Sequence, residues 1–286
     1  MIIVAVIEVI VSLLIIRWLI KKKTGEPFSR KTILKILLFG AATAFIIMIA
    51  SLFAPDGSPS DMSHPILLGF IDALTTAALL EEGLKYGAFR LAMRNNAEAC
   101  CRLDAVLVGA LIAMGFALIE DVEYSIFGNF YTLIRAVLPL HAFFGTIMGY
   151  YYGKAKATGS TKYHILSLAV PLLGHTFYDM WIVAIKHILD AAGAAADTLT
   201  EEELLALPYG EYLEPLGYVA IATIAVFFIL IVTAFRKISQ WSRNKELQES
   251  IVAQRPRRYL SPIQKGPARE DRSSCAGLFC HQSFSG

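Results

Sequence analysis

The sequence has few charged residues for its length. Asp, Glu, Lys and Arg make up 17% of the 286 residues, whereas hydrophobic residues make up 56% and the mean hydropathy is +0.54. An ordinary soluble domain has roughly 45–50% apolar and about 25% charged residues. The composition therefore excludes an ordinary soluble globular domain and favours an integral membrane protein.

Features typical of several other protein classes are also missing from the sequence. It contains no repeat of fixed period, no Gly-rich phosphate loop and no soluble segment of useful size outside its apolar runs. We therefore expect one transmembrane helical domain over residues 1–235 and a basic, flexible cytoplasmic tail over residues 236–286. The expected surroundings are the lipid bilayer, with no nucleic-acid partner.

Apolar runs of about 20 residues recur along the chain, and each is long enough to cross a hydrocarbon core about 30 Å thick as a helix. Seven such runs begin near Ile2, Thr32, Ile66, Ala105, Ile134, Ile165 and Leu216. The sequence therefore predicts an all-α fold, a polytopic bundle of about seven transmembrane helices.

Basic residues occur in alternate connections between the predicted spans. They follow the first, third and fifth spans and recur after the seventh, whereas the connection over residues 190–215 is acidic. Cytoplasmic loops of membrane proteins carry an excess of Lys and Arg. This bias predicts an extracellular N-terminus and a cytoplasmic C-terminus in a multi-pass protein of the cytoplasmic membrane.

Ionisable side chains inside the predicted spans need an explanation, because each costs about 2.5–3.5 kcal/mol at a helix centre and must face the bundle or water. The deep candidates are Glu81, Glu82, Lys85, Glu120, His141, His175 and Asp179. They come from spans three to six, and we predict that they share one water-accessible cavity. Spans one, two and seven are expected to contribute little, and Asp121 and Glu123 to be solvated at the outer end of span four.

Helical spacing groups some of these residues. Lys85 follows Glu81 by four residues and Glu82 by three, so that its ammonium can reach either carboxylate along one face. The two acids point about 100° apart, which predicts that one is neutralised while the other acts. His175 and Asp179 are four residues apart, an arrangement in which a carboxylate orients an imidazole.

A ridge of small residues follows His141 on span five. It consists of Gly145, Gly149 and Gly153. Small residues at this spacing allow a neighbouring membrane helix to approach closely. The ridge predicts a tight helix crossing one turn from His141.

Carboxylates and imidazoles in a wet cavity suit hydrolysis. A carboxylate can remove a proton from water, while imidazoles or a metal stabilise the oxyanion that forms. Two His and a carboxylate are also the minimal ligands of a catalytic zinc, although the chain lacks the His-Glu-x-x-His spacing. The residues alone leave both mechanisms open.

Two other classes of function fit the same residues. Intramembrane Glu, His and Lys also suit the ion relay of a proton-coupled transporter or channel. The paired half-repeats with broken helices that many transporters have are not visible in this sequence. A scaffold whose polar cluster only joins helices is the third interpretation.

Four blocks of the sequence resemble a known family. They are "EEGLKYGAF", "DAVLVGALIAMGFALIEDVEYSIF", "RAVLPLHAFFGTIMGYYYGKAK" and "LLGHTFYDMW". Their order and spacing are similar to the motif blocks of the PrsW family of intramembrane proteases, over about residues 66 to 183. More distantly, they are similar to the CAAX-processing and bacteriocin-processing membrane proteases.

The resemblance implies a peptidase that cuts a membrane-protein substrate in or near a transmembrane helix. It implies that Glu81 and Glu82 are the leading catalytic acids, tuned by Lys85. The later motifs correspond to Glu120, His141 and His175 with Asp179, and the first three of these are the implied ligands of a Zn²⁺ ion. The family is commonly described as metal-dependent, whereas its distant relatives suggest a glutamate-activated water without a metal.

Overall fold

The computed structural model describes residues 2–53, 64–94, 96–127, 138–191, 199–248 and 250–251. Within these ranges the regular structure is helical apart from one isolated bridge between Cys101 and Ser250, in agreement with the predicted all-α class. The helices are α1 (Ile2–Ile20), α2 (Arg30–Ser51), α3 (Pro65–Asp72), α4 (Leu79–Arg94), α5 (Arg102–Phe127), α6 (Leu140–Thr158), α7 (Thr161–Ala191), α8 (Glu201–Leu205) and α9 (Leu213–Arg243).

Five of the described helical segments are long and apolar enough to cross a membrane. They are Ile3–Ile20, Arg30–Ser51, Arg102–Ser125, Thr161–Asp190 and Gly210–Arg243. The other two predicted spans are helical as well. The run near Ile66 forms α3 and α4, while the run near Ile134 forms α6, which begins at Leu140. The first residues of that run, 134–137, lie outside the described residues.

Helix α5 is the centre of the bundle. In its apolar stretch 83% of the residues are buried, against 28% or less in the other four candidate spans. A helix that is apolar on all sides is stable only when neighbours surround it. Accordingly α5 packs against α1, α2 and α6, and α6 in turn packs against α7.

Glycines allow α5 and α6 to cross with their backbones in contact. A Cβ atom at Gly145 would collide with the Gly109 carbonyl oxygen, and one at Gly149 would collide with the Ala105 carbonyl oxygen. The predicted ridge on α6 therefore forms a tight crossing, and its partner is α5. This crossing brings the segment of α5 before Glu120 against the segment of α6 after His141.

A π-helical turn, Ala73–Ala78, joins α3 to α4. Its defining hydrogen bond runs from the Leu79 N–H to the Leu74 carbonyl, five residues back. Such turns insert one extra residue into a helix and occur frequently at functional sites. This one lies immediately before the helix that carries Glu81 and Glu82.

The last helix extends beyond the predicted domain boundary at residue 235. Helix α9 continues to Arg243, and the chain after it packs on the loop before α5. The Leu103 N–H donates to the Leu247 carbonyl and the Ile251 N–H donates to the Cys100 carbonyl. Helical structure therefore continues past residue 235, and residues 252–286 of the predicted tail lie outside the described residues.

Candidate active site

All seven predicted site residues meet inside the bundle. Helix α4 supplies Glu81, Glu82 and Lys85; α5 supplies Glu120; α6 supplies His141; and α7 supplies His175 and Asp179. Asp179 is the most exposed of them, with 22% of its side chain accessible, whereas the other six are buried. Segments far apart in sequence therefore contribute to one cluster.

The Lys85 ammonium lies at the centre of this cluster. Its Nζ is 3.0 Å from Glu81 Oε2, 2.9 Å from Glu82 Oε1 and 3.0 Å from His141 Nδ1. These contacts use all three donors of an ammonium group. Nζ also lies 3.8 Å from the centre of the Phe116 ring, at cation–π distance.

The position of Lys85 fixes the proton on His141. Because an ammonium only donates, His141 Nδ1 must accept from Lys85. The proton of the neutral ring then lies on Nε2, which donates to Glu120 Oε2 at 2.6 Å. Lys85, His141 and Glu120 thus form one continuous hydrogen-bonded chain from α4 through α6 to α5.

His175 lies between two carboxylates. Its Nδ1 is 3.1 Å from Glu82 Oε1 and its Nε2 is 3.0 Å from Asp179 Oδ2. Only the imidazolium form can donate to both carboxylates at once. The ring also stacks on Phe144, with centroids 5.3 Å apart, so its orientation is restricted by packing as well as by charge.

The two neighbouring acids of α4 have different surroundings. Glu82 has no exposed surface and lies between Lys85 and His175. Glu81 lines a cleft of about 510 Å³ between α2, the π-helical turn and α5, and Glu120 lines the same cleft. Glu81 Oε2 also lies 4.0 Å from His175 Nδ1. Of the two, Glu81 is thus the acid that a molecule in the cleft can reach.

Two groups of side chains in the described part of the chain have the geometry to hold a metal ion. One consists of Glu81, Glu120 and His141, and the other of Glu81, Glu82 and His175, with the ligand atoms of each group within 4.8 Å of one another. Carboxylate oxygen and imidazole nitrogen are ligands that zinc accepts, so the donor set fits a metal.

These groups differ from the ligand set that the resemblance implied. The implied triad of Glu120, His141 and His175 is divided between them, and Glu81 belongs to both. A metal ion in either group would compete with the Lys85 ammonium for Glu81.

Three buried acids lie outside the predicted set of site residues, namely Glu8, Asp104 and Asp121. The expectation that Asp121 is solvated is wrong, since only 6% of it is exposed. Glu8 is also buried, although α1 was expected to contribute little, and its Oε2 accepts a hydrogen bond from the Ser125 hydroxyl. The sequence signal for a buried Glu8 was its position as the lone acid in the otherwise apolar first half of α1.

These features define a class of protein: a multi-pass helical membrane protein with a buried hydrolase-type cluster of carboxylates and imidazoles. The model of the PrsW family intramembrane metalloproteases matches residues 29–199, and the chain belongs to this family, as the sequence motifs implied. All seven site residues lie inside the match. Helix α1 and helix α9 lie outside it.

Proteins named Protease PrsW from several bacteria are similar to this chain. That of Oceanobacillus iheyensis is 33% identical over 165 residues, which cover 56% of this chain and 73% of the relative. That of Geobacillus kaustophilus is 32% identical over 182 residues, which cover 62% of this chain and 76% of the relative. That of Bacillus subtilis is 34% identical over 124 residues, which cover 41% of this chain and 57% of the relative. No solved structure matches the chain.

The protein is therefore a membrane peptidase. Family membership does not favour the transporter alternative, because the curated relatives are proteases. The bacterial relatives and the apolar helices agree with a multi-pass protein of the cell membrane.

Proposed function

We propose that this protein hydrolyses a peptide bond in or next to a transmembrane segment of another membrane protein. In this proposal it crosses the cytoplasmic membrane seven times, with its N-terminus outside and its C-terminus inside, as the loop charges favour. The observation that carries the proposal is the placement of Glu81, which combines access to the cleft with contact to Lys85 and proximity to His175.

Glu81 is the general base in this proposal. Its carboxylate is held by Lys85 through one oxygen, and it faces the cleft where a water molecule and a substrate carbonyl can meet. A positioned carboxylate accepts the proton of the attacking water and can return it to the leaving amine. Glu82 balances the positive charges of Lys85 and His175 and has no access to the cleft.

The donors around the cleft supply the remaining chemistry. The His175 imidazolium and the Lys85 ammonium are positive groups beside Glu81, where they would stabilise negative charge that develops on a carbonyl oxygen. Glu120 and His141 would hold a metal together with Glu81. When bound, a zinc ion lowers the pKa of a coordinated water and polarises a carbonyl.

The cleft offers a substrate segment a binding site between α2 and α5. Its walls include apolar side chains of α2 and the small residues Thr76 and Ala77 of the π-helical turn, with Glu81 and Glu120 at its polar end. A substrate helix must unwind locally there, because its own hydrogen bonds otherwise shield the amide. The polar end of the cleft offers partners to the backbone groups that unwinding exposes.

The roles of Glu81 and His175 can be tested with purified protein and a co-reconstituted membrane substrate. We expect Glu81→Gln to abolish cleavage, because the amide cannot accept the water proton, and His175→Ala to reduce it by roughly 10²-fold or more. Glu202→Gln, on the exposed face of α8, is the matched control and should retain full activity. Undiminished cleavage by folded Glu81→Gln protein would refute the assignment.

A further inference from the structure

A second, smaller opening reaches the site from the opposite side of α5. It is a pocket of about 30 Å³ between α1, α5, the start of α6 and α7. The polar residues that line it are Ser12, Asp121, His141, His175 and Asp179. The cleft between α2 and α5 shares none of these residues, so the two openings approach the cluster independently.

The size and lining of this pocket suit water. A cavity needs only about 10–15 Å³ of space for the centre of a water molecule to hold one water, provided that it offers two to four polar partners. The 30 Å³ of this pocket is space of the same kind. Apolar cavities stay dry, whereas here two carboxylates, two imidazoles and a hydroxyl face the space. The pocket therefore has room and partners for at least one ordered water.

Glu8 extends this polar region along the interface of α1 and α5. The helices pack antiparallel, with Glu8 against Ser125 near one end and the Lys23–Asp104 ion pair beyond the other. Ser12 and Asp121 each lie one helical turn further into the bundle than Glu8 and Ser125. A polar track thus runs from the start of α1 to the pocket.

One oxygen of the Glu8 carboxylate has no hydrogen-bond partner within the described part of the chain, and water in the polar track can supply one. Only 1% of Glu8 is exposed, and its Oε1 has no hydrogen-bond partner among the described residues. An unpaired carboxylate oxygen in a membrane interior costs several kcal/mol unless water hydrates it. This orphan oxygen is a second, independent sign of water between α1 and α5.

Resting on the proposed function, we propose that this pocket holds the water consumed in hydrolysis and that Glu8 and Ser12 of α1 line its supply route. Each peptide bond cleaved consumes one water molecule. A substrate segment in the cleft excludes water from that side, so a separate route allows the site to refill while the substrate is bound. Helix α1, which lies outside the family match, then takes part in the reaction as a positioning element.

The route can be tested without measuring cleavage. Ser12→Cys and Leu13→Cys place thiols on adjacent residues of α1, one facing the pocket and one on the apolar exterior, where Leu13 is 52% exposed. The full-length proteins, in proteoliposomes, are treated with hydrogen peroxide, an oxidant close to water in size, and oxidation is quantified at each cysteine by peptide mass spectrometry. Native Cys101 is an internal slow reference, because burial, with the neighbouring Asp104 carboxylate, raises the pKa of its thiol to about 12.

We expect Ser12→Cys to react at least about tenfold faster than Leu13→Cys, because a thiol ionises and reacts only where water reaches it. Equal, slow modification of the two would overturn the proposal. This result does not depend on activity, so it is distinguishable from failure of the proposed protease function, which the Glu81→Gln assay reports.

A kinetic measurement gives the second test. Ser12→Leu fills the pocket and should lower kcat while KM stays unchanged, because the substrate cleft lies on the other side of α5. Leu13→Phe adds volume on the exterior of the same helix and should leave both constants unchanged. A folded Ser12→Leu protein with the original kcat would also overturn the proposal.

Discussion

At the scale of single residues, Lys85 is a charged group that depends on its buried partners. It is 2% exposed and is among the largest fully buried side chains of the described residues. Burial of a charge is tolerated only when partners compensate for the lost hydration. Two carboxylates and an imidazole do so here, which makes the fold and the site depend on the same side chain.

Removal of the Lys85 charge is therefore expected to destabilise the protein. Lys85→Met keeps much of the side-chain volume but leaves the fully buried Glu82 with only His175 as a cationic partner. We expect a loss of about 3–5 kcal/mol in the free energy of unfolding, typical of breaking a buried ion pair. Chemical denaturation of the variant and the unmodified protein in detergent measures this difference in the free energy of unfolding.

The control for this prediction is Lys186→Met. Lys186 also has a carboxylate four residues away, but 72% of its side chain is exposed. Lys186→Met should change the free energy of unfolding by no more than about 0.5 kcal/mol, as for most surface substitutions. Equal effects of the two substitutions would contradict the buried network.

At the scale of helices, the crossing of α5 and α6 positions the site. Glycine backbones touch at Gly109, Gly145 and Gly149, so the separation of the two helices is set by main-chain contact. The distance from Glu120 to His141 depends on this separation. Small residues four to eleven positions from Glu120 or His141 thus determine the geometry of the site.

Gly149→Ala tests the crossing. The added methyl group would overlap the Ala105 carbonyl, so that the helices must move apart. We expect a loss of about 1–3 kcal/mol in stability, as for other overpacked cores, seen as a lower Tm. Gly87→Ala on α4 is the matched control, since no atom lies within 4 Å of its added Cβ, and its Tm should be unchanged or higher.

The sequence predicted the components of the site better than their pairing. Helical spacing was sufficient to join Lys85 to Glu81 and Glu82, because these contacts lie within one helix. The same spacing predicted the contact of His175 with Asp179. The partners of the imidazoles on other helices could not be predicted, because Lys85 and His141 are 56 positions apart and Glu82 and His175 are 93 apart. Such pairings depend on helix rotation, which the π-helical turn alters and hydropathy does not reveal.

At the scale of the whole molecule, a bound metal ion would couple ligand binding to folding. The two candidate groups draw ligands from α4, α5, α6 and α7, which the unfolded chain cannot hold together. A ligand that binds only the folded state stabilises it, by roughly 2.7 kcal/mol at about 100 times its Kd. A bound metal would therefore raise the stability of the entire bundle.

Metal removal gives the corresponding prediction. We expect a chelator to lower the Tm of the purified protein and added Zn²⁺ to restore it. In Glu81→Gln the zinc-dependent shift should disappear, because Glu81 belongs to both candidate groups. Glu202→Gln should keep the shift, and a zinc response in Glu81→Gln equal to that of the unmodified protein would exclude both groups as the binding site.

The π-helical turn before α4 gives this chain an unusual sensitivity to length. It accommodates one residue more than a regular turn, and each residue of an α-helix advances the following side chains by about 100°. The turn already holds its extra residue, so insertion of a second amino acid between Ala73 and Ala78 would rotate every later side chain of α4 by about 100° about the helix axis. Glu81, Glu82 and Lys85 would then point at lipid or at another helix, so a one-codon insertion nine residues or fewer from the acids would inactivate the enzyme while its composition and hydropathy hardly changed.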